Sequence, residues 1–130
     1  MRAFVDTNVL VRHLTQDTPD QAARATFLLS AADRLHLSDV VLAEVIYVLQ
    51  SVFRAPRERI AEAMRGTLGF ASVDVEDRAL LVRAVQVYEL HGVDFADAYL
   101  VALAESSGVR LIASFDRSLD RVETVTRVEP

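Results

Sequence analysis

The sequence predicts an α/β fold of three layers, α/β/α, in which a short parallel sheet of four to five strands is flanked by helices. Three observations lead to it. Short apolar runs that read as strands alternate along the chain with longer segments of helical periodicity, the pattern of parallel strands joined by helical crossovers. The chain has 130 residues, 52% of them hydrophobic and 25% charged, which suits one buried core and one domain over residues 1–130. It has no cysteine, so that core has no disulfide staple, and a thiol nucleophile or a cysteine-based zinc site is excluded.

The elements follow in order. Residues 2–5 form an apolar strand that stops at Asp6-Thr7-Asn8, a turn. Val9, Leu10 and Leu14 then recur at helical spacing. Thr18-Pro19-Asp20 supplies a hydroxyl N-cap and a proline at the first helical position, and predicts a helix over 19–32. A short strand spans 35–37. Ser38 or Asp39 then caps a strongly apolar helix over 40–53, which Ala55-Pro56 breaks. The next helix, 57–65, is expected to end on Gly66 and Gly69. Residues 71–73 read as a third strand with Asp74 at its end. A long amphipathic helix over 76–91 places Leu80, Leu81, Ala84, Val85, Val87 and Tyr88 on its apolar side, and Gly92 ends it. The helix over 95–107 stops at Gly108, the usual glycine after a helix C-terminus. Residues 109–113 read as a buried strand, and 123–128 alternate as an edge strand should.

Nineteen acids face fourteen bases, a net charge of −5, and every base is arginine. The lack of lysine excludes a P-loop ATPase, a Schiff-base enzyme and a pyridoxal enzyme. A net acidic chain is also a poor non-specific nucleic-acid binder, so a nucleic-acid role must come from a local site. No apolar run approaches the ~20 residues of a membrane helix, and no basic segment followed by an apolar one marks a secretory signal. The expectation is a cytoplasmic protein with no membrane partner.

The acids stand at the strand ends. In open α/β sheets ligands sit beyond the carboxyl ends of the strands. Asp6 follows the first strand and Asp39 the second, and Glu44 lies in the second turn of the helix that strand feeds. Asp94 and Asp97, three residues apart, open the helix before the fourth strand, and Asp116 follows that strand after Ser114-Phe115. Clustered carboxylates are tolerated when protonated, paired with arginine or bridged by a cation, and all-oxygen sets suit Mg²⁺ or Mn²⁺. Each acid also has an ordinary reading. Asp39 reads first as an N-cap, Asp94 as an N-cap or a site residue, and Asp6 and Asp116 as turn acids or site residues. Glu44 has Val40, Val41, Val45, Ile46 and Val48 around it, and Asp97 is set in a similar apolar stretch. Acids in such segments need a partner.

Four stretches in order, Phe4-Val5-Asp6-Thr7-Asn8-Val9-Leu10, Leu42-Ala43-Glu44-Val45, Asp94-Phe95-Ala96-Asp97-Ala98 and Ala113-Ser114-Phe115-Asp116, resemble the PIN-domain family. Within it they resemble the compact VapC-type toxins of VapBC toxin–antitoxin pairs. The resemblance covers essentially the whole chain. It implies a Mg²⁺- or Mn²⁺-dependent endoribonuclease whose four acids are Asp6, Glu44, Asp97 and Asp116, which also hold the metal. Asp94 would assist through a water, Ser114 matches a position near the metal, and Asn8 would hold the carboxylates by hydrogen bonds. The implied products are a 5′-phosphate and a 3′-hydroxyl. Without those four acids the net charge would be −1, so the acidic bias belongs largely to the implied site. Arg12 and Arg117 are the first candidates for RNA contact, although each also reads as a solvated surface charge. His13, His36 and His91 read as packing or surface residues, and Tyr47 and Phe53 as core or dimer packing.

The resemblance also implies partners. These are an RNA substrate, a homodimer built on helices 19–32 and 40–53, and a VapB-like antitoxin that places an arginine among the acids. Two rivals fare worse. A phosphatase with Asp6 as nucleophile needs a second aspartate at position 8, where Asn8 stands, and a lysine. A non-catalytic PIN-like module predicts loss of one or more acids, and all four are present.

Overall fold

The apolar runs and helical periods fold in the predicted order. The computed structural model describes every residue except Ala32, so the last position of the helix expected over 19–32 lies outside the described residues. The chain divides into two units, Met1–Glu76 and Asp77–Pro130.

In the first unit, β1 (Arg2–Phe4), β2 (Arg34–His36) and β3 (Val73–Asp74) make a parallel sheet in the order β1-β2-β3. Leu35 lies opposite Ala3 and Val73, and His36 opposite Phe4 and Asp74. Side chains alternate between faces along a strand, so Leu35 and Val73 turn together into the core. His36 is half-buried, its ring 5.1 Å from that of Phe4 and its Nδ1 3.5 Å from Asp74, a packing role as expected.

Four helices complete this unit: α1 (Thr7–Thr15), α2 (Pro19–Ala31), α3 (Asp39–Ser51) and α4 (Arg57–Leu68). α1 packs on α2 and α3, and α3 on α4. α3 starts where Ser38 accepts the Val41 N–H at 3.1 Å, so Ser38 is the cap and Asp39 the first helical residue. It buries Leu42, Val45, Ile46 and Leu49, one stripe at helical spacing. Tyr47 falls off that stripe and is 67% exposed, which removes the core reading for it. α4 runs through Gly66 to Gly69, a turn longer than expected. One glycine costs a helix only about 1 kcal/mol relative to alanine, and burial of Thr67 and Leu68 carries the last turn past it. His13 packs as expected: Nδ1 lies 2.8 Å from Thr26 Oγ1, its ring meets Phe70 edge-on, and burial lowers its pKa.

The second unit comprises α5 (Arg78–His91), α6 (Phe95–Ser107), β4 (Leu111–Ala113), a 3-10 helix (Arg117–Arg121) and β5 (Thr126–Val128). α5 packs on α6 through its predicted apolar face, with Tyr88 against Phe95 at 6.1 Å. Arg83 on α5 donates to Glu105 on α6 from Nε at 2.8 Å and Nη2 at 2.9 Å. Gly92 and Gly108 end the two helices at φ +66° and +80°, where a side chain would be strained. β4 and β5 pair in parallel as a separate two-stranded sheet. Within each unit the described strands pair in parallel, three in the first and two in the second. β4 is shorter than expected and buries only Ile112, with Val109 and Leu111 exposed, so alternation overrides its continuous apolar character. β5 begins at Thr126 because a turn at Val122–Val125 occupies the preceding residues.

Candidate active site

Each unit brings two of the expected acids together. In the first, β1 ends at Phe4 and the chain enters α1 through Asp6, which is extended and accepts the Thr7 N–H at 2.8 Å. Thr7, buried at the first position of α1, donates its hydroxyl to Glu44 Oε2 at 2.8 Å. One residue thus holds both acids, Asp6 by its backbone and Glu44 by its side chain. Glu44 is exposed rather than walled in by its apolar neighbours, because it faces away from the α3 core stripe toward this hydroxyl. Asp6, Thr7 and Glu44 line a cavity of about 420 Å³ together with Asn8, Arg12 and Asp17. Asn8 lines the cavity, but the hydroxyl bond that orients Glu44 comes from Thr7. Sequence reasoning missed Thr7. Its only signal was a hydroxyl residue directly after Asp6, and nothing local announces a bond to a residue 37 positions on. Arg12 is half-buried, its Nε donating to Gln21 Oε1 at 3.0 Å and its Nη1 lying 3.3 Å from Asp17.

In the second unit, Asp97 occupies the first turn of α6 and is half-buried. Asp116, exposed, caps the 3-10 helix by accepting the Ser118 N–H at 2.9 Å. The two carboxyl groups lie near enough for each to act on the other's ionisation. Burial first, then the charge and hydrogen bond of Asp116 and the charge of Asp94, raise the Asp97 pKa. The Ser118 hydrogen bonds lower that of Asp116. The pair is therefore asymmetric, with Asp97 the better proton holder. Asp94 stands at the N-cap position of α6 without a side-chain capping bond. Ser114 accepts the Asp116 N–H at 2.9 Å and so fixes the backbone from which that acid projects. Arg117 is exposed and opens the 3-10 helix.

A family model described as PIN domain matches residues 3–125. The chain belongs to the PIN domain family. It is 29% identical over 116 residues to Ribonuclease VapC26 of Mycobacterium tuberculosis (strain ATCC 25618 / H37Rv), a stretch covering 88% of this chain and 86% of that protein. Among solved structures, that of Mycobacterium tuberculosis VapC20, described as a sarcin-ricin loop cleaving toxin, is similar with a TM-score of 0.45. The identity is 22%, over 91% of this chain and 92% of that one. All four expected acids lie inside the PIN-matched stretch. No helix among the described residues is long and apolar enough to cross a membrane.

The donor chemistry of this PIN domain fits a hard divalent ion. The acids offer only oxygen, and burial, followed by the nearby charges of Asp116 and Asp94, raises the pKa of Asp97, a setting in which a cation favours the ionised carboxylate. Among the described residues they are held as pairs, and no three His, Cys, Asp or Glu side chains form a metal-holding group.

Proposed function

We propose that this PIN domain, one domain over residues 1–130, is a VapC-type endoribonuclease toxin in which Asp6, Glu44, Asp97 and Asp116 hold a divalent cation, Mg²⁺ or Mn²⁺. The observation that carries the reading is the Asp97–Asp116 contact. Half-buried Asp97 lies beside a second carboxyl group with Asp94 adding its charge, an arrangement that suits a cation. Family membership and the relative named Ribonuclease VapC26 supply the reaction class. A cation held by these acids would supply an activated water and charge stabilisation for phosphodiester hydrolysis. The chain's own contribution is orientation. Thr7 fixes Asp6 and Glu44, while Ser118 and Ser114 fix Asp116. Asp94 and Asn8 assist as polar neighbours, and Arg12 and Arg117 contact RNA.

Three further parts belong to this reading. A VapB-like antitoxin neutralises the acids with an arginine, whose guanidinium replaces the cation's charge. A homodimer forms through α2 and α3, which expose Phe27, Val40 and Tyr47. The protein acts in the cytoplasm, where RNA is met. The test is cleavage of RNA by the purified protein with Mn²⁺, with the new 5′ ends mapped. Wild type should cut at defined positions to leave a 5′-phosphate and a 3′-hydroxyl, and Asp97→Asn or EDTA should abolish cutting. Equal cleavage by Asp97→Asn, or cleavage indifferent to EDTA, refutes the assignment.

A further inference from the structure

The cavity that contains Asp6 and Glu44 shares two lining residues, Asn8 and Arg12, with a second cavity of about 420 Å³ between α1 and α2. From α2, Gln21, Arg24, Ala25 and Leu28 line it at spacings of three, four and seven, one helical stripe. Two arginines thus face one cleft, with Asn8 and Gln21 as amide partners and Val9, Ala25 and Leu28 as an apolar floor. Gln21 holds the Arg12 guanidinium in place at 3.0 Å. Asp17 pairs with Arg12 at 3.3 Å and Asp20 with Arg24, offsetting part of the charge. However, the Arg24–Asp20 pair, at 3.2 Å, has side chains 71% and 83% exposed. An exposed pair one helical turn apart contributes only tenths of a kcal/mol, so an arriving phosphate competes with it readily.

A polymer cut at the acids must continue past them, and this cleft is the continuation that shares their wall. We propose that it is a substrate subsite for single-stranded RNA. In it Arg12 and Arg24 grip the phosphodiester next to the one being cut, and the apolar floor packs against ribose or base. The inference rests on the ribonuclease reading above. It answers a difficulty of that reading: a chain of net charge −5 with an acidic site repels RNA unless guanidinium groups nearby hold the strand by short-range, bidentate hydrogen bonds. The mixture of two cations with a flat apolar floor matches a nucleotide better than it matches an acidic peptide, which would leave the floor uncovered.

Arg24→Gln tests it, with Arg59→Gln as the control, since Arg59 lines a different cavity among α1, α3 and α4 and its loss removes the same charge. Cleavage of a labelled single-stranded RNA with Mn²⁺ should show KM raised about five- to tenfold in Arg24→Gln with kcat within twofold of wild type. The slope of log KM against log salt should be shallower by about 0.7, one phosphate contact on a single strand. Arg59→Gln should match wild type. An unchanged KM in Arg24→Gln, an equal rise in Arg59→Gln, or a fall in kcat alone overturns the subsite. If wild type cuts no RNA the ribonuclease reading fails first. Anisotropy of the same RNA on wild type and Arg24→Gln then decides the cleft separately, and equal affinities refute it.

Discussion

Replacing Thr7 by valine separates two properties that most changes near an active site confound. The substitution keeps the shape of the buried side chain and the backbone N–H that Asp6 accepts at 2.8 Å, and it deletes only the hydroxyl that donates to Glu44 at 2.8 Å. A hydrogen bond to a charged group contributes about 1.5–3 kcal/mol where water is excluded. Glu44 is exposed, so water takes up its freed oxygen, and the expected loss is at the low end or below, about 1 kcal/mol, a fall in Tm of about 3–5 °C. Metal affinity should suffer more. Removing a partner that orients a metal-holding side chain typically weakens binding by about 10–100-fold, because the ligand must then be ordered at the moment of binding. Thr7→Ser keeps the donor and should retain most of the affinity.

Titration calorimetry with Mn²⁺ on the three proteins, alongside thermal melts with and without Mn²⁺, measures both quantities. The reasoning is refuted if Thr7→Val binds Mn²⁺ within about twofold of wild type while melting as expected. It is equally refuted if Thr7→Ser falls as far as Thr7→Val, since the hydroxyl would then not be the operative group.

Two further outcomes concern the second unit. The Arg83 guanidinium and the Thr124 hydroxyl hold Glu105 down from 4.5 to about 2, so its stabilisation is complete above about pH 4.5 and is lost as the pH falls toward 2. With Glu105 at 14% exposure and Arg83 at 32%, the pair contributes about 2 kcal/mol after allowance for solvent screening, and Glu105→Gln should lose that at pH 7 and flatten the acid limb of a Tm-against-pH curve. Asp97 has the opposite sign. Its pKa is raised in the fold, so its ionisation costs stability above the ordinary carboxylate range, and that cost vanishes at pH values where it is protonated in both states. Metal-free Asp97→Asn should therefore melt above wild type at pH 7, with the gap closing in acid; a lower Tm at pH 7 refutes the cost that burial and the neighbouring charges impose on the ionised Asp97.

The order and type of the elements were legible because each rests on short-range chemistry. Proline after Thr18, glycines at 92 and 108, and the helical spacing of Leu81, Ala84, Val85 and Tyr88 act within a few residues of themselves. The errors occur where a neighbour distant in sequence decides. Gly66 does not end α4, because buried Thr67 and Leu68 extend it, and the apolar run at 109–113 is not wholly buried, because a two-stranded pairing with β5 presents alternate residues outward. The acids themselves were visible as residue types at strand ends. The bond from Thr7 to Glu44 was not, since a contact across 37 residues leaves no local trace.

The capping roles of these acids are compatible with the proposed cation site. Asp6 caps α1, Asp116 caps the 3-10 helix and Asp97 lies in the first turn of α6. A helix start presents unpaired backbone N–H groups and the positive end of the peptide dipoles, which favour an ionised carboxylate there. A chain that must collect negative charge can therefore seat it at helix starts after strands with little loss of stability. Glu44 lies in the second turn of α3, beyond the reach of that effect, and it is the acid that recruits a separate hydroxyl, from Thr7. Asp97 is helped by its helix start but half-buried beside Asp116, and there burial and repulsion win, as the upward shift of its pKa records. The raised pKa of Asp97 makes protons stronger competitors for that carboxylate than for an ordinary one, so cation binding at this pair should weaken as the pH falls.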